Sequence, residues 1–499
     1  MIFFFLSLFF PAMASGQVYH TQKELVTSYI DSTVNEDLEG AVLGLLAIGP
    51  EGDTIAAFNP STLLIPASNM KLVTTGLALD ALGSSHVYET GIAYSGEISG
   101  GTLHGDLYIT GGGDPTLASD DSIAATLPEL FGRWTEMLED AGIRKISGHI
   151  IGDDRYFDTD MPEEQTWQWD DCGTYYGTGI SGLTFFENIQ SFDVRPGNHT
   201  GDKVAIRESF PVCPWMEYRY NCTTGEAGTG DRLYYYTSDL RPCGEMRGTF
   251  ASDRAAKTLE CSNKFPAYTC ASYFADWIGK AGIECVGGPA DTGYFLPENG
   301  TAGRDSLTVL GKTGSADLLR IAFETNHESN NLYAETLYHT IGKEICGSGD
   351  YAPSAQAVRK LLEDMGLDPG KVCIRDGSGL SRHNLLSPSF ICSFLLAMTE
   401  SPEFGSFIYS LPSPGSDGTL KGVMAGYDRE LTSRIRLKSG SMTGVKCFSG
   451  YIFPTRHDAD NPESGGKPAV FSIMINNSLL SQYRMQGIID RLLYLLSGR

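Results

Sequence analysis

Apolar and polar positions along the chain mark out its elements before any chemistry is considered. The stretch near Gln22 to Ile30 reads as an amphipathic helix, and Gly49-Pro50-Glu51-Gly52 as the turn of a hairpin. The extended run Leu63-Leu64-Ile65-Pro66-Ala67 ends where Ser68 opens an apolar, helix-like stretch. Val204-Ala205-Ile206 reads as a strand, Ala316 to Phe323 as a helix with Ser315 as its N-cap, and Leu332 to Leu337 as another helix. Arg434-Ile435-Arg436-Leu437 and Cys447 to Phe453 read as the two strands of a hairpin. The closing run Ile488 to Leu496, interrupted by Asp490 and Arg491, predicts a core-facing helix.

A chain of 499 residues predicts two or three domains and a large core. Its 61 acidic against 37 basic residues argue against a nucleic-acid backbone as partner and remove the polybasic route to a membrane. Met1 to Phe10 is a short apolar run ending near Pro11-Ala12-Met13-Ala14, where small residues are spaced as in a signal-peptidase site. Residues 1–16 are therefore expected to be a signal peptide. No later stretch has transmembrane length, so an exported protein without a further anchor is expected.

The candidate chemistry begins at Ser68-Asn69-Met70-Lys71. On a helix, positions i and i+3 share a face, which brings the lysine amine within reach of the serine hydroxyl. A serine becomes a competent nucleophile when a base takes its proton, and a lysine serves if its pKa is depressed. A second copy of the pattern, Ser464-Gly465-Gly466-Lys467, lies in a turn-rich stretch and reads as a surface loop.

Two further motifs follow in order: Ser329-Asn330-Asn331 before a helix, and Lys438-Ser439-Gly440-Ser441 on a strand. Ser-x-x-Lys, Ser-x-Asn and Lys-Thr/Ser-Gly in that order form the signature set of penicillin-recognising serine enzymes. Lys312-Thr313-Gly314-Ser315 matches the third motif more literally but would invert the order, and is set aside.

With these motifs the chain resembles the type-4, low-molecular-mass penicillin-binding proteins, which are D-alanyl-D-alanine carboxypeptidases and endopeptidases with a large insertion. The resemblance extends to Gly105 to Ile109, Gly113 to Leu117, Ala334-Glu335, Asp376 to Arg382 and Asp417-Gly418-Thr419-Leu420. Asn330 stands where the family often has aspartate, and Ser439 where threonine is commoner. The resemblance implies an α+β transpeptidase/β-lactamase-like domain, with an antiparallel sheet flanked by helices and a helical lobe. Because Ser68 and Ser329 must share a cleft across about 260 residues, a β-rich insertion is expected at residues 92–300. The catalytic domain then comprises 17–91 and 301–499.

The same resemblance implies roles. Ser68 is the acylated nucleophile and Lys71 its base, made neutral by the fixed charge of Lys438. Ser329 relays a proton to the leaving amine, and Asn331 holds the substrate amide and positions Lys71. The main-chain N–H groups of Ser68 and Ser441 form the oxyanion hole, and Lys438, Ser439, Gly440 and Ser441 bind the peptide carboxylate. The implied substrates are peptidoglycan stem peptides ending in D-Ala-D-Ala, met in the periplasm or elsewhere outside the cytoplasmic membrane, with β-lactams as covalent inhibitors. A β-lactamase and a non-catalytic wall-binding protein on the same fold are the alternatives.

Seven of the eleven cysteines fall between Cys172 and Cys285, which in an exported chain predicts local disulfides. With no Cys-x-x-Cys pair and no histidine pair at ligand spacing, no metal or cofactor is expected.

Overall fold

The structure is a computed structural model that describes residues 15–159, 162–416, 418–456 and 466–498. Met1 to Ala14 of the expected signal peptide, Asp417, and Ser464-Gly465 of the second Ser-x-x-Lys copy lie outside the described residues. The chain divides into two units, residues 1–66, 386–396 and 412–499 forming one, and 67–385 with 397–411 the other.

The first unit is built on a five-stranded antiparallel sheet in the order Ile435–Met442, Val445–Ile452, Ala469–Asn476, Val42–Ile48, Thr54–Phe58. Val445–Ile452 and Ala469–Asn476 are buried at every position, so both faces of the sheet are covered there. The helices Ser15–Glu36 and Gln482–Leu496 close a core holding Val26, Ile30, Ile489, Leu492, Leu493, Phe448 and Phe471. Gln22 donates to the carbonyls of Leu495 and Leu496 at 3.0 and 2.7 Å, satisfying acceptors that the end of a helix leaves open. Asn476 bonds both main-chain groups of Ile65, at 2.8 and 3.1 Å, and so fixes the extended segment that runs toward Ser68.

The second unit contains a helical block and a β-rich part. From Met70 to Leu79 every side chain of the helix Met70–Leu82 is buried, as expected of a helix apolar on all sides. The helices Leu318–His327, Asn331–Cys346 and Phe404–Ser410 pack against it. The chain leaves this block on the strand Val87–Tyr94 and returns on Thr308–Asp317, the two pairing antiparallel in a five-stranded sheet. The helices Leu127–Asp140 and Pro266–Lys280 pack on that sheet through Phe131, Trp134 and Phe274. Two three-stranded sheets enclose a smaller core around Phe192, Tyr235, Met246 and Phe250.

Two expectations need correction here. Ser315 does not cap the following helix; Asp317 does, accepting from the Arg320 N–H at 3.0 Å. Pairing with Val87–Tyr94 keeps the chain extended as far as Asp317, and the Ser315 hydroxyl accepts instead from the Tyr88 N–H at 3.0 Å. All eleven cysteines are free thiols, so the expected disulfides are not formed. Cys222 and Cys261 are packed in one apolar core and Cys270 in another, where they behave as small hydrophobic side chains.

Candidate active site

Ser68 sits in the single 3-10 turn Ala67–Asn69 that precedes the buried helix. The turn is entered through strain, because Ala67 has φ of 46°, a conformation that L-residues with a side chain rarely adopt. Ser329 has φ of 61° in the link between two helices, so a left-handed residue precedes Ser68 and another is Ser329 itself.

Lys71, one turn after Ser68, is completely buried. Its Nζ lies 3.1 Å from Ser68 Oγ, 2.6 Å from Asn331 Oδ1 and 2.8 Å from the Ser378 carbonyl. Burial lowers its pKa from 10.5 to about 7, against the pull of the Glu335 and Asp376 carboxylates, which favour the charged form. The main cause is thus desolvation, one of the two ways in which a lysine becomes a base. A lysine neutral near pH 7, held against a serine hydroxyl, is competent as a general base.

Asn331 is the first residue of the helix Asn331–Cys346, which brings it back to Lys71. Its Nδ2 donates to the Tyr176 carbonyl at 2.8 Å, which leaves Oδ1 turned toward the amine. Asn330 caps this helix, accepting from the Tyr333 N–H at 3.1 Å and donating to Glu187 Oε2 at 2.7 Å. An ionised aspartate could cap equally well but could not donate to Glu187, which accounts for the amide at this position.

The turn Asp376-Gly377-Ser378-Gly379 supplies the third acceptor of Lys71, and two buried carboxylates shape it. Glu335 accepts from the Ser378 and Gly377 N–H groups at 2.7 and 3.2 Å. Asp376 accepts from the N–H groups of Gly379 and Ser381, from Asn384 Nδ2 at 2.7 Å and from Trp167 Nε1 at 2.9 Å. Burial first, and for Glu335 the neighbouring Asp376 next, raise the pKa of both carboxyls. Gly379 has φ of +85°, and a Cβ there would stand 2.0 Å from the Ala67 carbonyl oxygen. Glu335, Asp376, Ser378, Trp167 and Tyr176 were not among the site residues expected from the sequence. The Asp-Gly-Ser-Gly composition signals a tight turn, but nothing local says which side chain it faces.

In the first unit, Lys438, Ser439, Gly440 and Ser441 lie on the strand Ile435–Met442, opposite Ser449, Phe448, Cys447 and Lys446. Lys438 is buried and its Nζ donates to the Ser439 carbonyl at 3.0 Å, while Ser441 is exposed. Lys312 belongs to a different setting, exposed and paired with Glu89 at 2.7 Å, and Thr313 accepts from Trp134 Nε1 at 3.1 Å. Among the described residues no cluster of His, Cys, Asp or Glu is arranged to hold a metal ion.

The profile of the D-Ala-D-Ala carboxypeptidase 3 (S13) family matches residues 26–496. A D-alanyl-D-alanine carboxypeptidase of Actinomadura sp. (strain R39) is 29% identical over 439 residues, covering 83% of this chain and 76% of that one. The D-alanyl-D-alanine carboxypeptidase DacB of Haemophilus influenzae is 24% identical, with 84% of each chain covered. The crystal structure of penicillin binding protein 4 from Haemophilus influenzae superposes with a TM-score of 0.77 at 23% identity, over 94% of this chain and 98% of that one. A second structure of that protein is complexed with a β-lactam and superposes with a TM-score of 0.73.

Proposed function

This chain belongs to the D-Ala-D-Ala carboxypeptidase 3 (S13) family, and from that premise we propose that Ser68 is its acylated nucleophile and Lys71 its general base. The observation that carries the reading is the 3.1 Å contact of Ser68 Oγ with an amine whose pKa is lowered to about 7. The enzyme is a serine peptidase that hydrolyses the D-Ala-D-Ala bond. Ser68 Oγ attacks the carbonyl between the two D-alanines while Lys71 Nζ takes its proton. The C–N bond breaks as the leaving amine gains a proton through Ser329, leaving an ester on Ser68. Water then cleaves the ester, releasing the shortened peptide and returning a proton to the serine.

The remaining roles are those that the three-motif set implies. Asn331 holds Lys71 and offers its amide to the substrate backbone. Lys438, with Ser439, Gly440 and Ser441, binds the terminal carboxylate, and the N–H groups of Ser68 and Ser441 receive the oxyanion, worth about 3 kcal/mol per donor. Residues 92–300 are an inserted module whose Tyr176 carbonyl reaches Asn331. A β-lactam, which mimics the dipeptide and is bound by the Haemophilus relative, acylates the same serine. Peptidoglycan lies outside the cytoplasmic membrane, so the protein acts there, in the periplasm of a two-membrane cell. Among the described residues no helix is long and apolar enough to cross a membrane.

The test is release of D-alanine from a pentapeptide ending in D-Ala-D-Ala. The parent protein should release one equivalent, and Ser68→Ala and Lys71→Met should release none above the uncatalysed rate. Turnover by Ser68→Ala would refute the assignment.

A further inference from the structure

A second cavity in the same unit is not used by the chemistry at Ser68. It has a volume of about 560 Å3 and is lined by Trp169, Tyr236 and a ring of charged side chains. Trp169 is 63% exposed, whereas Trp167, two residues earlier, is 8% exposed. The Trp169 and Tyr236 rings are nearly parallel, 18° apart with centroids at 6.4 Å. The Arg247 guanidinium lies 5.7 Å from the Tyr236 centroid and is held by Glu245 at 2.8 Å. Arg219 and Arg241 lie 3.1 and 3.6 Å from Glu217.

We propose that this Trp169–Tyr236 face binds a pyranose ring of the glycan strand that carries the stem peptide. Exposing an indole forgoes the stabilisation its burial would bring, so its presence calls for a partner with an apolar face. The C–H face of a pyranose is such a partner, and its hydroxyl and acetamido groups need both donors and acceptors around the rim. The paired guanidinium and carboxylate groups provide both, since each pair leaves further donors and acceptors open to a ligand. As exposed ion pairs they contribute little to stability. Two carboxylates largely offset three arginines, which fits a neutral polyol better than a polyanion.

Connectivity ties this face to the reaction. At about 3.6 Å per residue, the Cα atoms of Trp169 and Trp167 are within about 7 Å, and Trp167 Nε1 donates to Asp376. The same loop continues to Tyr176, whose carbonyl holds Asn331. Trp169 thus stands on the loop whose Tyr176 carbonyl holds Asn331. This inference rests on peptidoglycan being the substrate.

The test is calorimetric titration of the full chain with a tetramer of β-1,4-linked N-acetylglucosamine, and with glycan strands stripped of peptide. The parent should bind both probes, Trp169→Ala and Tyr236→Ala should each bind at least tenfold more weakly, and Trp169→Phe should recover most of the loss. No binding by the parent, or equal binding by the two alanine variants, would overturn the inference. Hydrolysis of a free pentapeptide, measured in parallel, reports on Ser68 and not on this face. Failure there would remove the catalytic reading, while the sugar site would still stand or fall on its own titration.

Discussion

The Lys71 amine donates a 2.6 Å hydrogen bond to Asn331 Oδ1 across a separation of 260 residues in the chain. Asn331 is in turn held by the Tyr176 carbonyl at 2.8 Å, so the orientation of the Lys71 amine depends on a loop far from both motifs. Burial lowers the amine's pKa to about 7 and these contacts aim it at Ser68. The two effects can be separated by experiment.

Acylation should depend on pH chiefly through Lys71. With a pKa lowered to about 7 by burial, the amine is a base above that value and an ammonium below it. Benzylpenicillin acylation, followed by rapid quench, should rise with pH to a plateau with its midpoint near 7. At pH 5 it should be about a hundredfold below the plateau, following the neutral fraction. A flat profile from pH 5 to 9 would exclude Lys71 as the base.

Asn331→Asp should move that midpoint upward. A carboxylate in place of the amide oxygen stabilises the ammonium, an effect of about 1–3 pK units for a close opposite charge. The variant should be slow at pH 7 and recover as pH rises, whereas Asn331→Ala should be slow throughout. Comparing the two pH profiles checks the sign.

Removing Glu335 should loosen the Ser378 turn. Glu335→Ala leaves two buried N–H groups without their acceptor, at a cost of about 1–3 kcal/mol each, and frees the carbonyl that Lys71 uses. Lower melting temperature and slower acylation should appear together, with Glu335→Gln intermediate. The Glu335 carboxyl has a raised pKa in the folded protein, so the folded state retains a proton that the unfolded chain releases. Its contribution to stability should therefore decline as pH rises above the ordinary glutamate value, and Glu335→Gln should abolish that slope.

Gly379→Ala should inactivate the enzyme without touching a reacting group. At φ of +85° an L-residue is strained, and its Cβ would meet the Ala67 carbonyl, next to Ser68. The turn or the nucleophile must shift, and a shift of about 1 Å at a reacting centre can lower rates about a hundredfold. Acylation kinetics and thermal unfolding of the same variant check both consequences.

Lys438→Gln should affect substrates with a free carboxylate most. The parent should prefer a pentapeptide acid over its C-terminal amide, and the variant should raise KM for the acid and narrow that preference. Steady-state kinetics on the two peptides decide it.

Much of this arrangement is legible in the sequence because it depends on local spacing. Ser68 and Lys71 share a face by helical geometry, Asn331 opens a helix, and Cys447 to Phe453 reads as a strand of a hairpin, close to the observed Val445–Ile452. The supports of the site are not legible, because each joins residues distant in the chain. Glu335 bonds Ser378, 43 residues away, and Trp167 bonds Asp376, 209 residues away. Ser315 shows how pairing overrides local preference, since a residue suited to capping is taken by the sheet edge at Tyr88. The cysteines misled because Cys222, Cys261 and Cys270 serve as small apolar side chains in the cores, a use that clustering in sequence does not reveal.

The most direct test of the central claim is intact-protein mass spectrometry after brief exposure to benzylpenicillin, with Ser68→Ala alongside. The parent should gain the mass of one penicillin, located on the peptide containing Ser68, and the variant should gain none. An unmodified parent under folding conditions, or an adduct that persists in Ser68→Ala, would contradict that claim.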